Sequence, residues 1–120
     1  MHSRAKLGAL GEDHAQAHYE RLGYTVIARN VRTRSGELDL ILWHNRVLVF
    51  SEVRTRIAGP VDPLESIDSR KARQVRRMAS AWLASNNAPC GTVDIRLDAV
   101  GVTVDASWAL LKLTCLEGAL

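Results

Sequence analysis

The stretch Gly36-Glu37-Leu38-Asp39-Leu40-Ile41-Leu42-Trp43 decides how the chain is read. After His44-Asn45-Arg46 it is followed by Val47-Leu48-Val49-Phe50-Ser51-Glu52-Val53-Arg54-Thr55-Arg56. Two runs rich in β-branched and aromatic residues, broken by a short polar segment, predict two antiparallel strands over residues 37–43 and 47–55. A two-residue turn at Asn45-Arg46 pairs His44 with Val47. In that register Asp39 stands opposite Glu52, and Glu37 opposite Arg54. Opposing residues share a face, with Cβ atoms roughly 4.5–5.5 Å apart. A slip of one residue would undo the alignment. The hairpin therefore gathers Glu37, Asp39, Glu52 and Arg54 on one charged face.

Outward from the hairpin, residues 7–22 carry an imperfect helical stripe (Leu7, Leu10, Ala15, Ala17, Tyr19, Leu22) that stops at Gly23. Gly8 and Gly11 weaken its first turns, so the expected start lies near Gly11. Residues 24–28 read as a strand and 32–36 as a polar loop. Residues 57–63 hold two of the three prolines and read as a loop. The clearest helix spans 69–85, with Ala72, Val75, Met78, Ala79, Trp82 and Leu83 on one stripe and Asp68 or Ser69 as cap. Strands are expected at 93–100 and 102–104 around Gly101, and at 108–116. This order predicts an α/β (α+β) domain spanning residues 1–120.

Composition narrows the class. The chain has 120 residues, 47% hydrophobic and 24% charged, which is globular rather than disordered or fibrous. No apolar run is long enough for a membrane helix, and the first residues lack a signal-peptide pattern. A soluble cytoplasmic protein is the expectation. Cys90 and Cys115 make neither a disulfide framework nor a four-ligand zinc site. His14 and His18 sit one helical turn apart without an evident third ligand. The formal charge is +3, and its distribution is uneven. Arg70, Lys71, Arg73, Arg76 and Arg77 fall close together without an acid, and Arg29, Arg32 and Arg34 form a second group. Such clusters suit a phosphate backbone; they also suit a solvated helix face.

Two acids opposite each other in a sheet repel unless something neutralises them. A hard divalent cation does so, since Mg²⁺ takes one or two carboxylates together with waters and substrate phosphates. Arg54 beside the pair can hold a phosphate or developing negative charge. The same residues also fit a surface ladder, Glu37 with Arg54 and Glu52 with Arg56.

The sequence resembles the YraN family. The likeness rests on Gly11-Glu12 with Ala15 and Tyr19, Gly23-Tyr24, Arg29-Asn30, residues 36–41 and 49–56, Lys71, and Arg96-Leu97-Asp98-Ala99-Val100, in that order along nearly the whole chain. That family is similar to archaeal Holliday junction resolvases and shares the restriction-endonuclease-like fold with its PD-(D/E)xK motif. The resemblance implies a helix packed on a mixed central sheet, and Mg²⁺- or Mn²⁺-dependent cleavage of structured, branched DNA. By position, Asp39 matches the motif aspartate and Glu52 the second acid, the pair that would hold the metal. Glu12 matches an acid placed near the metal, and Leu38 stands where the motif has its nominal proline. Arg54 replaces the motif lysine. Arginine effectively cannot lose its proton, so Arg54 is not a general base. Arg32, Arg34, Arg56, Arg70, Lys71 and Arg73 would contact the nucleic acid. A non-catalytic nucleic-acid-binding module is the alternative, and a partner-binding protein with an acidic salt-bridge network a third. Cutting a junction at two symmetric sites further implies a homodimer.

Overall fold

In the computed structural model, which describes residues 3–120, two helices pack on one five-stranded sheet. In chain order the elements are α1 (Arg4–Arg21), β1 (Thr25–Thr33), β2 (Gly36–His44), β3 (Val47–Ile57), a 3-10 turn (Pro63–Ser66), α2 (Ser69–Ser85), β4 (Asp94–Val104) and β5 (Leu110–Leu116). The strands lie side by side in sequence order. All neighbours are antiparallel except β3 and β4, which are parallel. A parallel pair needs a long crossover, and α2 supplies it. This is the α+β class, a mixed central sheet flanked by helices, that the residues predict.

The β2–β3 hairpin takes the expected register, His44 opposite Val47 through Leu40 opposite Ser51. Asn45 and Arg46 both have positive φ, 49° and 66°, the twist a two-residue hairpin turn requires. Arg46 tolerates it because its Nε donates to Gly91 O at 2.8 Å and its carbonyl accepts Val93 N–H at 2.8 Å.

Alternate residues of the central strands divide between two cores. Leu40, Leu42, Val49, Val100 and Val102 pack with Ala15 and Tyr19 of α1. Ile41, Leu48 and Phe50 pack with Val75, Met78, Ala79 and Trp82 of α2. The helices therefore cover opposite faces. Burying each large aliphatic side chain contributes about 1.5–3 kcal/mol, so most of the stabilisation lies in this sandwich. Asp68 caps α2 by accepting Lys71 N–H at 2.8 Å.

Several boundaries differ from the sequence reading. Helix α1 starts at Arg4, capped by Ser3, rather than near Gly11. Gly11 is no weak point: a Cβ there would run into the side chain of Thr55 on β3. Packing decides its identity and overrides propensity. β1 continues through Arg32 and Thr33, so the expected loop shrinks to a tight turn at residues 34–35. β4 runs unbroken through Gly101, where a Cβ would press on Leu64. The 3-10 turn that supplies Leu64 was not anticipated.

Candidate functional site

The β2–β3 ladder ends at Leu40 and Ser51. Beyond that step β2 stays paired with β1, and β3 with β4. The two strands splay, and Val53 N–H would be left without its ladder partner. Asp39 Oδ2 accepts it instead, at 2.8 Å, because a buried backbone donor must be satisfied. The splay opens a cleft of about 760 Å³ lined by Glu12, Glu37, Asp39, Glu52, Arg54, Arg56 and Lys71, among others.

A second irregularity aims the acids. Leu40 packs on the α1 side of the sheet, but Leu38, two residues away, packs against α2. Strict alternation would put them on one face. Across the ladder, Arg29 reaches α1 while Val31 packs toward α2. Between them Asn30 has a φ of 54°, and it hydrogen-bonds the Glu12 carboxylate. The whole β1–β2 ribbon turns over at the Asn30–Asp39 step. One consequence corrects the simple charged face: Glu37 pairs with Arg32 at 3.6 Å, not with Arg54. Nor does Glu52 form an ion pair with Arg56; its partners are Arg54 and Lys71.

Glu52 is buried and Asp39 half-buried, and their carboxyl groups lie within hydrogen-bonding reach of each other. Both cations approach Glu52 Oε2, Arg54 at 3.1 Å and Lys71 at 3.4 Å. Burial and the Asp39 charge nevertheless outweigh them, and Glu52 is pushed up to about 7. Asp39 is also raised, chiefly by burial. Glu12 of α1 is raised by burial and then by Asp39. Burial thus disfavours the charged form of all three acids, although the lining carries four cations (Arg4, Arg54, Arg56, Lys71) against four acids. Arg54 Nε is the one buried side-chain nitrogen or oxygen without a hydrogen-bond partner among the described residues.

These residues suit a divalent cation in one respect. Two adjacent oxygen donors in an open cleft leave room for the waters and substrate phosphate that Mg²⁺ retains. They do not form a closed cage: among the described residues, no group of three or more His, Cys, Asp or Glu is arranged to hold a metal by itself.

The structure thus brings Glu12, Asp39, Glu52, Arg54, Arg56 and Lys71 together. Arg34 and Arg73 lie elsewhere, in a separate groove; Arg32 is exposed on β1, and Arg70 on α2. Lys71 was grouped with its basic neighbours by sequence, yet helical spacing turns it inward to Glu52 and Gln74. Arg29, read as part of a basic group, clamps α1 through Asp13, Gln16 and Ala9 O. Asn30 was missed, although an asparagine inside a run of strand formers is itself a signal. Asp98 pairs with Arg96 on its own strand.

Among the described residues no helix is long and apolar enough to cross a membrane. Residues 11–102 match the uncharacterised protein family UPF0102. A UPF0102 protein of Acidothermus cellulolyticus is 46% identical over 87 residues, 72% of this chain and 66% of that one. One from Corynebacterium efficiens is 39% identical over 116 residues, 96% of this chain and 92% of that one. One from Geobacter sulfurreducens is 40% identical over 106 residues, covering 86% and 80%. Among solved structures, Pyrococcus furiosus SfsA in complex with Ca²⁺ overlaps 82% of this chain and 56% of that one, at 11% identity. Its TM-score of 0.29 does not establish a shared fold. The chain belongs to the UPF0102 family, the YraN family of the sequence resemblance.

Proposed function

We propose that the protein is a metal-dependent endonuclease acting on structured DNA, branched DNA included, with the splayed cleft as its active site. The observation that carries this reading is the placement of Glu52 against Asp39 at the end of the hairpin ladder, with Glu12, Arg54 and Lys71 around them. Asp39 and Glu52 would hold Mg²⁺ or Mn²⁺. Such an ion, when bound, lowers the pKa of a coordinated water and offsets charge on a phosphate. The protein's own groups do the rest. Asp39 is fixed by Val53 N–H, so its free oxygen has one direction to face. Arg54, with Nε unengaged, can meet a phosphate oxygen while another nitrogen stays on Glu52. Lys71 balances Glu52 without leaving the helix that positions it. Glu12, held by Asn30 and Arg29, adds a third acid at the cleft edge.

One observation favours the non-catalytic alternative: Arg54 is already paired with the acid it would have to assist. Calorimetry with Mn²⁺ on wild type, Asp39→Asn and Glu52→Gln, alongside a cleavage assay on branched, flapped and linear DNA, tests the proposal. Binding of Mn²⁺ that both substitutions abolish, with metal-dependent cuts, is expected. Equal Mn²⁺ affinity in all three proteins would remove the site. Metal binding without cleavage would leave the alternative. Cleavage appearing only in Arg54→Lys would mean that the native arginine prevents turnover.

A further inference from the structure

A second groove, about 580 Å³, lies between the β1–β2 turn and α2, lined by Arg34, Ser35, Arg73, Arg76, Arg77 and Ser80 with Ala81. It has no acid in its lining, and α2 contains none. Among the described residues, Arg34, Arg73, Arg76 and Arg77 form no ion pair. Arg29, Arg32, Arg54, Lys71 and Arg96 each meet a carboxylate. Arg73 and Arg77 are neighbours on consecutive turns, as are Arg73 and Arg76. Like charges so spaced cost an isolated helix about 0.2–0.5 kcal/mol a pair. The sequence keeps this repulsion without a compensating acid.

The groove is also held in shape. Gln74 Nε2 donates to Ser35 O at 3.0 Å, docking the turn on the helix. Gly36, with φ at 136°, allows the close approach, since a Cβ there would press on Gln74 and Met78. Arg34 is thereby carried beside the arginines of α2. Ser80 and Ala81 are small and leave the floor open.

We infer that this groove is a second phosphate-backbone site, gripping a nucleic-acid segment other than the one at the acid cleft. Successive helical residues are rotated by about 100°. Arg73 and Arg76 therefore point roughly opposite to Lys71, which faces Glu52, and Arg77 lies about a third of a turn from it. One phosphate cannot meet both sets. Guanidinium forks suit phosphate oxygens. The lining offers no aromatic or large apolar anchor of the sort a protein partner's hot spot fills. The inference rests on the nucleic-acid reading of the cleft and deepens it: the substrate extends past the point of attack and folds around α2.

The test is fluorescence anisotropy with a linear and a four-way DNA junction in chelator, over a potassium chloride series. The proteins are wild type, Arg73→Gln/Arg76→Gln/Arg77→Gln, and Asp39→Asn/Glu52→Gln. The arginines are exposed, so the triple variant folds; circular dichroism checks this. Each lost phosphate contact lowers the salt slope by about 0.9, so the triple variant should lose two to three units of slope and at least about tenfold in affinity. The acid variant should lose neither; with two negative charges gone from the cleft its affinity rises if it changes. An unchanged slope in the triple variant overturns the groove. Equal competition by a poly-glutamate peptide, weakened by the same substitutions, overturns the assignment to nucleic acid. In the Mn²⁺ cleavage assay above, a wild type that never cuts, with the slope lost in the triple variant, condemns only the catalytic reading; a wild type that cuts, with the slope unchanged in the triple variant, condemns only the groove.

Discussion

Asp98 and Glu52 lie on neighbouring strands, and both are buried, at 0% and 3% exposure. They face opposite sides of the sheet, Asp98 toward α1 and Glu52 toward α2. Asp98 accepts from Arg96 Nε at 2.8 Å and Nη2 at 2.9 Å, Tyr19 Oη at 2.9 Å and Gly118 N at 2.9 Å. Its charge is matched and its oxygens are full. Burial raises the Tyr19 hydroxyl, so it stays a donor, and the bonds to Asp98 hold the Arg96 proton. Glu52 instead meets a second carboxylate. A carboxylate with every lone pair answered ties parts of the fold together: Asp98 joins α1, β4 and the C-terminal end. A carboxylate buried against another acid is held there by the scaffold against its own preference, which is the usual signature of a site.

The sharpest break of this comparison is Asp98→Ala. It leaves Gly118 N–H without its partner, takes the buried carboxylate from Arg96, which keeps Tyr24 Oη and Glu117, and leaves Tyr19 Oη with Ser51. Removing one partner of a buried ion pair costs about 3–5 kcal/mol, and urea unfolding should register a loss of that size. Loss under about 1 kcal/mol would mean that water replaces Asp98 readily, and the distinction between the two acids would fall.

Glu52→Gln should have the opposite sign in metal-free protein. The folded Glu52 binds its proton up to about pH 7, the unfolded one only up to about 4.5. Between these values the native state holds more protons, so stability falls as pH rises. Above pH 7 the full penalty is on the order of 3 kcal/mol. Glutamine removes that decline, while Arg54 and Lys71 lose a partner and return part of the gain. Urea midpoints in chelator across this range should slope down for wild type and less steeply for the variant, which keeps the raised Asp39 and Glu12. A flat wild-type profile would show that Arg54 and Lys71 already balance the pair.

What was legible in the residues follows the same division. The hairpin register could be read because turn length and side-chain parity fix it together. Helix α2 could be read because a single stripe and an Asp cap mark it. The acids Asp39 and Glu52 could be placed on one cleft from that register. The splay between them could not. It begins where β2 leaves β3 at Leu40–Ser51 while staying with β1, beside the positive-φ Asn30, and neither turn length nor parity marks that point. Arg32 and Thr33 resisted assignment because backbone pairing with β2 satisfies them whatever their side chains. Lys71 was hidden by its neighbours: four flanking arginines face solvent, and only the helical angle separates it from them.

The gentlest perturbation touches both acids through one helix. α1 carries Tyr19 to Asp98 and Glu12 to the cleft, and Gly11 sets how closely it lies on β3. In Gly11→Ala the new Cβ meets the Cβ and both branches of Thr55, so turning the Thr55 side chain does not relieve it. The helix must lift. Overpacking of this kind costs about 1–3 kcal/mol, and the better helix propensity of alanine returns up to about 1 kcal/mol. The expected net loss is about 1–2 kcal/mol in urea unfolding. The two acids should respond unequally. Asp98 has partners on β4 and at Gly118 that do not depend on α1, so its network gives up one hydrogen bond. Glu12 has no such reserve on the sheet beyond Arg29 and Asn30, and its withdrawal removes negative charge from Asp39. The metal-free pH slope assigned to the cleft should therefore become shallower in Gly11→Ala. A variant as stable as wild type would mean that β3 yields instead of α1, and Glu12 would keep its place.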